Sequence, residues 1–299
     1  MAGVITHSYR WYWLLLWCVG LAACGPSLPE QVWQVKAIGA LERFARFAPL
    51  SGDDEVVLAA ARNEYEGFQF VIRAGSHGIS NVQVTISALR DARGNVLDTL
   101  QVFRQRYVKV TTPSPFSPYA PQEWPDILLP AANPANATLS PAYRAFPQNL
   151  LAGENLPVWV DVFVPATAAP GEYHGKVTVT ADGVPALELP ITLNVWNFTL
   201  PQRLPLRTVF GTNGYRVAEV YGFERTGTNA ENNRLIRTYN DFLLDHRLSP
   251  ESFWDASPEA DVDGHPNFAR QFAGLGTVTQ NMQYYMQVKH ASAYTYVFA

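Results

Sequence analysis

Lysine is almost missing from this chain. Four lysines stand beside 18 arginines in 299 residues, against 26 acidic side chains, and the formal net charge is −4. A weakly acidic chain does not suit a nucleic-acid binder that works by bulk charge, so no nucleic-acid partner is expected. Two cysteines, Cys18 and Cys24, cannot build a disulfide framework. The six histidines never pair at ligand spacing, so no zinc or other metal site is expected, and no cofactor. The sequence has neither a Gly-Lys-Ser/Thr phosphate loop nor a Gly-x-Ser-x-Gly nucleophile elbow. Charged residues are only 16% and apolar ones 47%, which excludes a wholly disordered chain and supplies material for a core. Aromatic residues are plentiful at 13%, with eight tryptophans, as suits a sugar or peptide surface or the core of a large β-sandwich. The length allows about two domains.

The first segment is an address. Residues 1–23 carry Arg10 and then the apolar run Trp11–Val19. That run is too short for a membrane span, which takes about 20 residues, and has the length of a secretory signal core. Leu21-Ala22-Ala23-Cys24-Gly25 resembles a bacterial lipobox, in which the cysteine thiol is lipidated and becomes the first residue of the mature chain. Cys24 is therefore the expected lipidation site. Several acyl chains anchor far more firmly than one, and the membrane becomes a partner through this lipid. Gly25 is not Asp, so nothing signals inner-membrane retention. The expected location is the bacterial cell envelope, at the outer membrane or cell surface. Residues 24–31 read as a tether.

Residues 32–200 read as an antiparallel β-sandwich. Val56–Ala60, Glu64–Ile72, the alternating Val82–Ile86 and Leu100–Val110 are strand candidates. Pro157–Pro165 alternates, Lys176–Thr180 follows the Pro170-Gly171 turn, and Asp182-Gly183 turns the chain into a returning strand, Leu187–Phe198. Residues 112–147 hold nine prolines in 36 positions, a density that excludes a central strand or helix. This stretch is expected to be an irregular excursion whose aromatics, Phe116, Tyr119, Trp124 and Tyr143, pin it to the sandwich or cover a cleft. After Pro201 and Pro205 the period changes. Leu206–Gly211 reads as a strand. Residues 230–247 read as a helix with Leu235, Ile236, Tyr239, Phe242 and Leu243 on its apolar stripe. Ser252–Trp254 reads as a strand, 267–289 as helical stretches broken near Gly274 and Gly276, and Tyr294–Phe298 as a final strand. Alternating strand and helix means βα units and a parallel sheet.

Three stretches carry a family resemblance: Arg62-Asn63-Glu64-Tyr65-Glu66-Gly67-Phe68-Gln69, Val158–Pro165, and Pro170-Gly171-Glu172-Tyr173-His174-Gly175-Lys176-Val177. In this order, before a βα region, they resemble glycoside hydrolase family 123 and the related DUF4091 group, from about residue 40 onward. The resemblance implies a β-sandwich followed by a (β/α)8 catalytic barrel. It further implies removal of N-acetylgalactosamine from glycans, with the sugar's own acetamide oxygen attacking the anomeric carbon. In such an enzyme an adjacent Asp-Glu pair orients the acetamide and serves as general acid/base, a departure from the usual two-carboxylate arrangement.

A barrel of this kind takes about 250 residues, roughly 200 at the least, whereas residues 206–299 have room for about three of eight βα units. The expected fold is thus a β-sandwich followed by an incomplete (β/α)8 barrel, 201–299. The family's Asp-Glu pair would follow the strand Tyr294–Phe298 and so fall beyond Ala299. No catalytic residue is carried over, and this chain by itself is expected to be inactive. Barrel sites lie at the C-terminal ends of strands, which makes Asn213, Tyr215 and Trp254 the candidate substrate-binding residues: an amide and a phenol to hydrogen-bond sugar hydroxyls, an indole to stack on a ring. Asp261-Val262-Asp263-Gly264 begins like a calcium loop but lacks the later acids, and reads as a turn, as does Asp53-Asp54-Glu55. Glu64 and Glu66 read as structural. Two functions are open: an N-acetylhexosamine-directed hydrolase of the cell envelope, or a non-catalytic carbohydrate-binding or scaffold lipoprotein. Either has a glycan as its partner.

Overall fold

A computed structural model describes residues 32–133, 138–203, 206–211, 214–223, 227–251 and 253–292. The signal segment, Cys24, the tether, Asn213 and the strand expected at 294–298 lie outside the described residues.

Two sheets pack face to face. The first runs in the order β1 (Trp33–Ile38), β3 (Glu64–Ala74), β10 (Asn155–Val164), β7 (Leu100–Val110), β8 (Gln122–Pro130), with every neighbouring pair antiparallel. The second runs β2 (Val56–Arg62), β12 (Val184–Thr199), β11 (Gly171–Ala181), β4 (Ile79–Ile86), β9 (Gln148–Leu150). Short strands β5 (Leu89–Asp91) and β6 (Val96–Leu97) extend it beside β11. Only β2 and β12 pair in parallel in these sheets. Alternation places Phe68, Phe70, Ile72, Val158, Val160 and Val162 of one sheet against Val177, Val179, Leu189, Ile191 and Leu193 of the other, in one continuous core. Each such side chain, fully buried, contributes roughly 1.5–3 kcal/mol.

β3 is buried on both faces from Phe68 to Ile72. Its outer face is roofed by the loop after β1. Gln69 donates to the carbonyls of Gly39 and Glu42 at 2.6 and 2.8 Å. Arg73 reaches the carbonyl of Ala48 at 2.7 Å, and Asn155 those of Ala45 and Ala48 at 2.9 Å. These polar side chains satisfy loop carbonyls that water no longer reaches.

The three motif stretches have structural work. Asn63, alone between β2 and β3, turns the chain from one sheet to the other with φ +61°, a left-handed conformation that asparagine tolerates. Its side chain donates to the carbonyl of Leu200 at 2.9 Å. Glu64 accepts the amide of Ala61 at 2.7 Å, in keeping with a structural role. Tyr173 is buried, and its hydroxyl bonds the carbonyl of Ala169 at 2.8 Å. Gly175 leaves room for Leu89, whose Cδ2 lies 2.5 Å from where a Cβ would stand.

The proline-rich stretch departs from expectation, because β8 lies inside it. The strand sits at the sheet edge and meets Pro125 where the register shifts between Arg106 and Tyr107, a place that tolerates a missing amide. Buried Arg104 ties down the following segment by donating to the carbonyls of Arg144 (3.0 Å) and Ala142 (2.8 Å). Burial, helped by Arg106, pushes its pKa down to about 10.

Beyond Thr199 the strand expected at Leu206–Gly211 contracts to one parallel bridge, Phe210 with Pro250. Helices α1 (Gly214–Val220) and α2 (Ala230–Asp245) lie between the bridge partners in sequence. Where a strand was expected, Trp254–Ala256 forms a 3-10 turn. The expected helical stretch 267–289 opens with a small hairpin, β13 (Gln271–Phe272) and β14 (Gly276–Thr277), before α3 (Val278–Gln283) and a π-turn at Tyr284–Val288. Gly274 and Gly276 have φ of +76° and +88°, values that break a helix and favour this hairpin.

Candidate functional site

The region after the sandwich is organised by α2. Asn229 caps it, its side chain accepting the amides of Glu231 and Asn232 at 3.0 Å. The buried face is Asn232, Asn233, Ile236, Asn240 and Leu244, which shares only Ile236 with the apolar stripe expected from periodicity. Tyr239 and Phe242 are exposed. Two of the inward amides find partners there, while the side-chain amide of Asn232 is buried without one. Asn233 donates to the carbonyls of Gly227 and Ala273 at 2.8 and 3.0 Å, and Asn240 to the hydroxyl of Tyr285 at 3.3 Å.

Under this helix lies a buried charge network that sequence reasoning missed. Asp255 is fully buried. Arg237 donates to its Oδ2 through both Nε (2.9 Å) and Nη2. Tyr285 donates to Oδ1 at 2.8 Å, and Asn281 donates to the Asp255 carbonyl at 2.5 Å while accepting from Arg237 at 2.6 Å. The guanidinium also sits 4.5 Å from the ring centre of Tyr284, whose hydroxyl donates to Asp241 at 2.7 Å. Burial pushes the Asp255 carboxyl up, against the pull of Arg237. With both carboxylate oxygens engaged, Asp255 has no position open to a substrate, and its chemistry is that of a brace. The residues come from α2, the 3-10 turn and the segment after β14, so no local spacing signals them.

Trp254 is carried on this brace. Its indole is half-buried, meets Phe272 edge-on with centroids 6.2 Å apart, and donates to Asn233 Oδ1 at 3.4 Å. Tyr215 falls within α1, and Asn213 is outside the described residues, so the expected trio is located only at Trp254. The parallel bridge stands close by in sequence, with Phe210 N bonded to Ser249 O (2.8 Å) and Glu251 N to Phe210 O (2.7 Å). This is the hydrogen-bonding pattern of two adjacent parallel strands joined through a helix.

The C-terminal end of α2 seats on the sandwich. His246 stacks on Tyr65, centroids 4.4 Å apart, and its Nε2 lies 3.6 Å from Asp161 Oδ2. Asp161 is itself held by Trp159 Nε1 at 2.7 Å. Arg247 donates to the carbonyls of Asn63 and Pro201. The Asp161 carboxylate holds the His246 imidazole above its ordinary pKa, with burial opposing.

Residues 43–181 match the family model described as the glycoside hydrolase 123 N-terminal domain. The resemblance drawn from the three motif stretches is thereby borne out, and all three fall inside the matched residues. Among solved structures, a family 123 glycoside hydrolase from Clostridium perfringens, described for glycolipid glycan hydrolysis, matches with a TM-score of 0.54 at 15% identity. It covers 72% of this chain, which spans 36% of that enzyme's length. At that identity the likeness is one of fold. A Bacteroides ovatus GH5 xyloglucanase (TM-score 0.24, 8% identity, 57% of this chain and 21% of that one) carries no argument. Nor does MyfA, the major subunit of Myf fimbriae from Yersinia enterocolitica (TM-score 0.25, 10% identity, 55% and 97%). No curated protein matches the chain.

Outside the matched residues, Asp261, Asp263 and His265 bring ligand-type atoms within 4.8 Å, the one such grouping among the described residues. All three are exposed, and Asp261 Oδ1 accepts the amides of Asp263 (2.9 Å) and His265 (2.8 Å). This is the expected turn. No described helix is long and apolar enough to cross a membrane.

Proposed function

We propose that this chain is the N-terminal part of a cell-envelope lipoprotein, anchored through Cys24, whose whole form is a glycoside hydrolase acting on N-acetylhexosamine glycans by substrate assistance. The observation that carries the reading is the order of parts. A glycoside hydrolase 123 N-terminal domain over 43–181 is followed by a parallel Phe210–Pro250 bridge with helices between its partners. That bridge is read as the opening step of a (β/α)8 barrel, of which residues 201–299 are the first part. Trp254, with Asn213 and Tyr215, would then stand toward the substrate. The glycolipid glycan hydrolysis described for the clostridial enzyme supports a glycan as the ligand.

Among the described residues the one adjacent Asp-Glu pair is Asp54-Glu55. It stands in an exposed turn of the sandwich, with Asp54 bonded to Lys36 at 2.6 Å, and is not placed for acid/base work. Residues 24–299 are therefore expected to bind but not turn over p-nitrophenyl N-acetyl-β-galactosaminide, whereas the product of the complete gene hydrolyses it. Turnover by residues 24–299 alone would overturn the assignment of catalysis to the rest of the barrel. No turnover by the complete product on any N-acetylhexosaminide would overturn the hydrolase reading. Anchoring is checked by mass spectrometry of the protein from a bacterial membrane fraction: a diacylglyceryl mass on Cys24, lost in Cys24→Ala.

A further inference from the structure

We infer that the sandwich carries a second glycan-binding subsite, where the loop after β1 meets the proline-rich segment. Leu41, Glu42, Arg43, Tyr119 and Trp124 line an open cavity of about 470 Å³. The Tyr119 and Trp124 rings meet edge to face, centroids 5.0 Å apart and planes at 66°, and Tyr119 keeps 60% of its surface exposed. A ring held by its neighbour yet open to solvent offers contact area at little entropic cost.

The opposite wall is fixed from the core. Gln69 is 1% exposed, and its Nε2 holds the carbonyls of Gly39 and Glu42. Its Oε1 accepts Gln105 Nε2 at 2.8 Å, so both ends of the amide are engaged and it cannot rotate cheaply. The loop bearing Leu41, Glu42 and Arg43 is thus set before a ligand arrives, which lowers the cost of binding. The Glu42 side chain accepts the amide of Gly39 at 3.1 Å, and Arg43 donates to the Glu42 carbonyl at 3.1 Å. Both side chains are exposed and keep further acceptor and donor capacity.

This chemistry selects its ligand. One carboxylate beside one guanidinium leaves no net charge, which disfavours an ionic ligand. A pyranose presents a face of C–H bonds for the aromatic pair and a rim of hydroxyls that both donate to a carboxylate and accept from a guanidinium. The volume lies in the range of about 300–1,000 Å³ usual for small-ligand sites and suits a neutral disaccharide unit. The ligand class is drawn from the cavity itself, so the inference stands apart from the hydrolase reading, sharing with it only a glycan partner.

The test is saturation-transfer difference NMR on residues 24–299 with lactose and with N,N′-diacetylchitobiose. The expected result is transfer to the ring C–H protons of at least one sugar, with affinity at least fivefold weaker in Tyr119→Ala and in Glu42→Ala. Phe116→Ala, fully exposed outside the cavity, leaves binding unchanged. Tyr119→Ala is the decisive variant because an exposed side chain can be removed without unfolding β8, and an unchanged unfolding midpoint checks this. Absence of transfer from both sugars overturns the subsite. So does transfer that persists in Tyr119→Ala, or that is lost in Trp254→Ala while kept in Tyr119→Ala. The last outcome places the sugar on the barrel side and leaves the hydrolase reading standing. Failure of the hydrolysis assay leaves the subsite untouched.

Discussion

Arg237 and Asp255 form the pair on which the region after the sandwich depends most. Removing one partner of a buried ion pair strands the other charge, at a cost of about 3–5 kcal/mol. Arg237→Ala is therefore expected to abolish cooperative unfolding of this region in a urea titration followed by tryptophan fluorescence, while the sandwich transition is kept. A variant whose midpoint moves by less than 1 M urea would show that Asp255 finds another partner. His246 gives a pH-dependent counterpart. Its folded pKa is held above the ordinary value near 6.5 by Asp161, so its contribution to the α2–sandwich contact is fully present below that value. The contribution is lost as pH rises through the folded pKa. Asp161 and Asp245 are the ionisable neighbours that raise it, with the Phe242 carbonyl, while burial opposes. An NMR titration should place the His246 pKa above 6.5, and Asp161→Asn should bring it down. A wild-type pKa at or below 6.5 contradicts the contact.

Strands and loops show why some motif residues are what they are. Gly67 lies against Trp159, whose Cζ2 is 2.5 Å from where a Cβ would stand. Gly67→Ala must displace that indole and its bond to Asp161, and is expected to cost roughly 1–3 kcal/mol by thermal unfolding. Ile72→Ala, in the shared core of the two sheets, should cost about 2–5 kcal/mol. Gln69→Ala leaves the carbonyls of Gly39 and Glu42 and the amide of Gln105 without their partner, for a loss of about 1–3 kcal/mol and faster amide exchange at residues 39–43. An exchange pattern unchanged in that loop would show that Gln69 does not hold it. The spacing of Arg62–Gln69 is legible as a strand, but the role of Gln69 is not, because its partners lie 27 to 36 residues away.

The whole molecule has two unequal cores. The sandwich owns the large cluster from Trp33 to Val195, whereas in the region beyond it the buried cluster is small: Leu244, Phe253, Ala256, Tyr285 and Ala291. The smaller one cannot offset the conformational entropy of some 90 residues at about 1–2 kcal/mol each for the backbone. Residues 32–203 expressed alone should fold with a single cooperative transition, and residues 206–299 alone should aggregate through apolar surface that so small a core leaves uncovered. A soluble, cooperatively unfolding 206–299 would contradict this division. The amino-acid order by itself determined strands β2, β3, β4, β7, β10, β11 and β12 of the sandwich, since period-two alternation and the Asp182-Gly183 turn are local signals read against one buried face. It also carried the family resemblance. Only the tertiary structure decided which face of α2 is buried, where Trp254 sits, that a strand lies inside the proline-rich stretch, and that Asp255 is braced by Arg237, Asn281 and Tyr285. In each of these cases the deciding partner is distant in sequence: an amide turned inward finds its carbonyls, and an edge strand finds its neighbour, only once the chain has folded.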